Sequence, residues 1–95
     1  MRSYWMQMSE RSTRIELRDC PAPIAGPQQL LVRMYAAALN RGEFLLGHGL
    51  HGKAGTWKAI GAEGAGEVVT VGAEVSGFRP GSRVMGRCAG AFSEY

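Results

Sequence analysis

Apolar and polar positions in this chain alternate more often than they recur at helical spacing. Residues 3–8 carry Tyr4, Trp5, Met6 and Met8 in a short alternating run, which predicts a first strand. Residues 13–18, TRIELR, set Ile15 and Leu17 on one face and Arg14, Glu16 and Arg18 on the other. That period of two predicts a half-buried strand with its aliphatic pair turned inward. Glu10, Arg11 and Ser12 lie between the two runs and supply the turn of a hairpin.

The next stretch, CPAPIAGPQQ, holds three prolines and a glycine in residues 20–29. Proline removes a ladder donor and fixes φ, so this is an extended connector. LLVRMYAAAL (30–39) is long enough for a helix. Its alternation of Leu30, Val32 and Met34 against Leu31, Arg33 and Tyr35, together with the Pro/Gly block before it, favours a strand. Asn40 can cap a short helical turn over RGEFLLG, with Glu43 at the third position completing a capping box. Residues 47–55, GHGLHGKAG, offer little to pack and read as a loop. IGAEGAGEVVTVG (60–72) starts glycine-rich and becomes a strand at 66–71. A turn region follows over 73–81, then a short strand at 82–86 and the start of another at 91–95. About six strands, one short helix and no βαβ alternation predict a mainly β chain forming a partly open antiparallel barrel.

Bulk properties narrow the picture further. At 95 residues, 45% hydrophobic and 20% charged, the composition is that of one ordinary globular domain spanning 1–95. The formal charge of +3 comes mainly from nine arginines, but acidic residues are interspersed and no basic aromatic stripe forms. Nucleic acid is therefore not an expected partner. No apolar run approaches a membrane span, and no apolar core follows Arg2 to make a secretory signal, so neither a membrane nor secretion is expected. Cys20 and Cys88 are too few for a disulfide scaffold and match no metal spacing, which points to a reducing, cytoplasmic setting.

Three segments carry a more specific signal. LVRMYAAALNRGEF, GAEGAGEVVTVGAEVSGFRPGSRV and GAFSEY, in that order and behind the proline-rich lead-in, resemble the catalytic-domain entry of the medium-chain dehydrogenase/reductase family. The resemblance covers nearly the whole chain. It implies a GroES-like barrel, the first part of the catalytic domain in such enzymes.

Zinc-dependent relatives resemble a pattern with cysteine before the active-site turn and a Gly-His-Glu triplet at the glycine-rich strand. Here those positions hold Asn40 and Ala62, and an amide and a methyl group cannot replace a thiolate and an imidazole. The resemblance thus implies the zinc-independent, quinone-oxidoreductase-like branch, with NADPH as cofactor of the complete enzyme and a quinone or enone as substrate. It places Asn40 beside nicotinamide and substrate as the candidate catalytic residue, a role compatible with capping. Ser82 stands where Asp is usual and can still bond a turn backbone.

Other residues stay open at this stage. Glycines 61, 64 and 66 fit either barrel curvature or close approach to a neighbour or ligand. Glu63 is expected to brace the barrel through an ion pair with Arg41, Arg83 or Arg87. Its separation from Glu43, an imaginable acid/base pair, is not fixed by sequence. His48 and His51 lack a third ligand nearby and read as loop residues. Ser93 and Cys88 lack a partner pattern for nucleophilic catalysis.

A dinucleotide site needs a glycine-rich turn between a buried strand and a helix, whereas GAEGAGEVV leads into a strand. The expectation is that no Rossmann domain is present, no cofactor is held by these residues, and the chain alone is inactive. Uncovered strand edges and an apolar face then predict self-association. A standalone GroES-like interaction module, without catalysis, is the alternative.

Overall fold

The computed structural model describes residues 1–44 and 54–95. Six strands form in chain order: β1 (Arg2–Met8), β2 (Thr13–Asp19), β3 (Leu30–Ala37), β4 (Trp57–Ala59), β5 (Glu63–Val71) and β6 (Arg83–Arg87), with a 3₁₀ turn at Arg41–Phe44. They make two three-stranded antiparallel sheets, ordered β2-β1-β4 and β3-β5-β6. This is the mainly β, unclosed barrel that the alternation predicts. The chain is elongated, 45 × 24 × 21 Å, and its radius of gyration is 14.3 Å, against about 12 Å for a compact domain of this length.

The hairpin β1–β2 keeps one register throughout, with Tyr4 opposite Leu17 and Met6 opposite Ile15. Those four residues share a face, as the period of two requires. Met6 and Met8 are buried, but Ile15 and Leu17 are each 52% exposed. The inward orientation expected for the aliphatic pair is therefore corrected: β2 is the outermost strand, and no described element lies over it. On the opposite face Arg18 stacks between two indoles, its guanidinium 4.3 Å from the Trp57 ring centre and 5.1 Å from that of Trp5. Arg18 also holds Glu16 at 2.9 Å.

The second sheet packs through its backbone. Val68 is the most completely buried large side chain, at 1% exposure. Gly66 lies opposite Met34 on β3, and a Cβ there would run into the Arg33 carbonyl oxygen. Such crowding explains why β5 extends back through the glycines to Glu63 and does not begin at residue 66. β3 ends at Ala37 and carries register shifts at Leu31/Val32 and Met34/Ala36. These bulges absorb the difference in curvature between the two strands.

Two short segments join the sheets. The main chain of Phe92 donates to Ile60 (2.9 Å) and accepts from Tyr4 (2.9 Å), while Glu94 donates to Arg2 (3.1 Å) and accepts from Met34 (2.9 Å). The expected strand over 91–95 is thus corrected to a single bridge, Ser3 with Ser93, because the segment is shared between two sheets. Gly61 turns the chain just before β5, with φ of 111°. A Cβ there would sit 2.6 Å from the Ala91 nitrogen, so only glycine fits.

Candidate functional site

Of the residues singled out by sequence, Asn40, Ala62, Glu63 and Cys88 lie on segments that meet at one end of the β3-β5-β6 sheet. Beyond the end of β3, the N–H of Ala38 donates to the Glu63 carbonyl at 3.0 Å, and across β5 the N–H of Cys88 donates to the Ala62 carbonyl at 2.8 Å. Asn40 and Ala62, the two positions that depart from a zinc-binding pattern, therefore lie on adjacent segments at the same sheet end. Sequence spacing alone, with 21 intervening residues, could not establish that proximity.

Half of the capping box forms. A Glu43 carboxylate oxygen (Oε2) accepts the Asn40 main-chain N–H at 3.0 Å. The reciprocal bond takes another route: the Glu43 N–H goes to the Asn40 main-chain carbonyl at 3.1 Å, as in a 3₁₀ turn. The Asn40 side chain is thereby released from capping. Its Nδ2 is buried with no hydrogen-bond partner, as is the second Glu43 oxygen, Oε1, on a side chain only 2% exposed. Buried orphan donors and acceptors are uncommon in folded chains. Glu43 thus combines one capping bond with one buried, unpartnered carboxylate oxygen, which its sequence reading as a cap does not include.

Glu63 behaves differently from expectation. It is exposed, stands opposite Arg87 across β5 and β6, and makes no ion pair among the described residues. The expected brace is corrected: the strand is held instead by its glycine contacts with β3. Glu63 still influences its surroundings. Burial first, and the Glu63 charge second, push the Cys88 thiol above its ordinary value. A thiol so disposed is held in its unreactive protonated form. Both cysteines are free.

Ser82 meets its expected task, accepting the Arg79 N–H on its hydroxyl at 3.1 Å and closing the turn before β6. The Ser93 hydroxyl lies 2.6 Å from the Gly90 carbonyl oxygen and 2.7 Å from the Tyr95 main-chain oxygen, which share its single proton. His48 and His51 lie outside the described residues, as does the rest of segment 45–53. Among the described residues no three His, Cys, Asp or Glu side chains come together as metal ligands. No helix among them is long and apolar enough to cross a membrane.

Two open clefts flank this region. One of about 430 Å³ lies between the sheets, walled by Tyr4 and Leu17 on one side and by Met34 to Ala37 on the other, with Phe92 at its base. A second, of about 460 Å³, follows the second sheet past Val32, Gly66, Val84 and Phe78. Both fall in the size range of small-molecule sites. Asn40 lines neither of them, so the polar turn and the apolar walls are not joined into one pocket by these residues alone.

Comparison with known proteins agrees with this architecture. Residues 26–95 match the alcohol dehydrogenase GroES-like domain. A quinone oxidoreductase of Pseudomonas aeruginosa is 39% identical over 82 residues, covering 84% of this chain and 25% of that protein. The dehydrogenase orf1 of Aspergillus niger is 31% identical over 86 residues, 87% of this chain and 25% of its own length. The human synaptic vesicle membrane protein VAT-1 homolog is 37% identical over 75 residues, 76% of this chain and 19% of that protein. The chain thus spans about a quarter of the length of the curated relatives it matches.

Proposed function

Because the chain belongs to the medium-chain dehydrogenase/reductase family and carries its GroES-like domain, we propose that it is the substrate-side part of a zinc-independent oxidoreductase. The reaction is hydride transfer from NADPH to a quinone or enone, and these 95 residues do not perform it alone. The observation that supports this most is the turn after β3, where the Asn40 Nδ2 is buried without a hydrogen-bond partner, at the same end of the sheet as Ala62.

A catalytic zinc does not fit this end of the sheet. Zinc takes thiolate, imidazole or carboxylate ligands, and Asn40 and Ala62 supply none of them. The glycine segment 61–66 does not fit a nucleotide phosphate either. Its glycines are spent on contacts with Ala91 and with the Arg33 carbonyl, and it feeds a strand where a phosphate cradle would feed a helix. Nicotinamide binding accordingly falls to another domain, and bound NADPH supplies the hydride there.

Within this division of labour Asn40 is the working residue of the chain. Its Nδ2–H donates to the substrate carbonyl oxygen and stabilises the charge that develops on it. An amide does not titrate, so the group positions and polarises without exchanging a proton. Glu43 fixes the Asn40 backbone through the 3.0 Å bond and so sets where that amide points. The apolar strips on both sheets that these residues leave open also lead us to infer self-association of the isolated chain.

The test compares the chain with a chimera in which it replaces the matching segment of the Pseudomonas aeruginosa quinone oxidoreductase. The chimera is expected to oxidise NADPH in a quinone-dependent way, while the isolated chain shows neither oxidation nor saturable quenching of NADPH fluorescence. Micromolar NADPH binding with quinone turnover by the chain alone, or a folded but inactive chimera, overturns the reading.

A further inference from the structure

The outer edge of the first sheet has a self-complementary order of charges. Its hydrogen-bonding polarity follows from the Met1–Cys20 pair, where the Met1 ammonium donates to the Cys20 carbonyl at 2.6 Å and the Cys20 N–H returns to Met1 at 2.9 Å. Bonded pairs recur every second residue along an antiparallel ladder. Ser12, Arg14, Glu16 and Arg18 therefore direct their main-chain groups toward β1. Thr13, Ile15, Leu17 and Asp19 direct theirs to the free side of β2, an outermost strand. Among the described residues no strand pairs with this row of donors and acceptors, and such a row is a template for another strand. It coincides with two aliphatic side chains, Ile15 and Leu17, that are half exposed.

We propose that a second copy of this chain covers this edge, β2 against β2 in antiparallel orientation, with the two Ile15 residues opposite each other. The proposal rests on the self-association inferred above and adds the surface and its register. Of the registers that keep the outward groups in phase, those centred on Ile15, Glu16 and Leu17 overlap the most of the strand. The longest, with Glu16 opposite Glu16, also sets Arg14 against Arg18, and like charges in direct opposition are destabilising. Centring on Leu17 brings Pro21 of one copy opposite Thr13 of the other, at a position where an N–H is needed and proline has none. Centring on Ile15 avoids both faults.

The Ile15-centred register sets Arg14 of each copy against Glu16 of the other, at non-hydrogen-bonded positions where side chains approach most closely. Arg14 is available for this role: it forms no ion pair among the described residues, and its nearest recorded contact is the Trp57 ring at 5.9 Å. On the other face Ile15 meets Ile15 and Leu17 meets Thr13. The aliphatic row beside Tyr4 then becomes continuous across the two copies.

Sedimentation velocity of the 95-residue chain over a wide concentration range tests this, with circular dichroism confirming that each variant is folded. The wild-type chain is expected to dimerise. Arg14→Glu and Glu16→Arg are each expected to weaken dimerisation at least tenfold, because each creates two like-charge oppositions. An equimolar mixture of the two variants is expected to dimerise again, since mixing returns opposite charges to both crossing positions. A wild-type chain that stays monomeric overturns the register and the inferred self-association together. Wild-type-like dimers of Arg14→Glu, or a mixture that stays monomeric, overturn the register and leave self-association standing.

Discussion

The two sheets hold together by different means. In β3-β5-β6 the backbones themselves are in contact, with Gly66 against the Arg33 carbonyl and Val68 almost sealed. In β1-β2-β4 the contacts are made by long side chains, Arg18 between Trp5 and Trp57 on one face and two methionines on the other. Backbone packing leaves no slack, because a carbonyl cannot move without breaking its ladder. Side-chain packing leaves room, because guanidinium and thioether groups adjust. The stiffer sheet is the one that presents Asn40, and the looser one has the bare edge. In the proposed function Asn40 holds a substrate carbonyl, and a site of that kind belongs on the stiffer of the two.

The contrast can be broken most severely at Gly66. Gly66→Val should destabilise the chain by about 3 kcal/mol or more, since the added atoms meet backbone on β3. Gly86→Ala, on the same sheet but with nothing within 4 Å of the added carbon, is the matched control. It should change stability by less than about 1 kcal/mol. Urea titrations of both variants give the comparison directly, and similar midpoints would remove the basis for calling the second sheet backbone-packed.

A smaller effect is expected in the first sheet. Arg18→Ala removes two cation–π contacts and the ion pair to Glu16, together about 1 kcal/mol for a partly exposed group. Tryptophan emission should shift as both indoles gain solvent, while hydrogen exchange in β3 and β5 stays unchanged.

The smallest effect belongs to the link between the sheets. Hydrogen bonds from the Arg2 main chain, and then from its guanidinium, hold the Glu94 carboxyl below its ordinary 4.5. A carboxyl with a depressed folded-state value stabilises the fold above its unfolded value and loses that contribution as pH falls through the folded one. The link should therefore loosen only under acid conditions, below the ordinary carboxylate range. Amide exchange at Tyr4 and Met34, whose N–H groups donate to Phe92 and Glu94, reports it. Glu94→Gln should remove the pH dependence without altering exchange in β6.

Much of this contrast was legible in the chain, and its limits are physical. Alternation correctly put Ile15 and Leu17 together on one face of β2, and the register adds that Met6 and Met8 share that face. It could not say whether anything covers that face, because a period of two fixes parity and not neighbours. β4 escaped notice because three residues after a glycine-rich stretch are too few to show a period. The segment 91–95 reads as a strand, yet its hydrogen bonds are divided between Tyr4 and Arg2 on one side and Met34 on the other.

At the site, the residue types at positions 40 and 62 already spoke against zinc ligation. What sequence could not supply was the state of the Asn40 side chain. Capping by side chain and capping by main chain give the same letters, and only the geometry separates them. The Glu63 brace failed for a related reason: opposite charges across a ladder, as with Arg87, need not close into an ion pair when both are exposed.

The most direct measurement of the central claim is steady-state quinone reduction by the chimera, before and after exhaustive chelation, alongside its Asn40→Ala variant. Chelation is expected to leave kcat unchanged, and Asn40→Ala to lower kcat by about a hundredfold, the scale of losing one preorganised donor to a developing oxyanion. Loss of activity on chelation with recovery on added zinc, or full kcat in the Asn40→Ala chimera, would contradict the account.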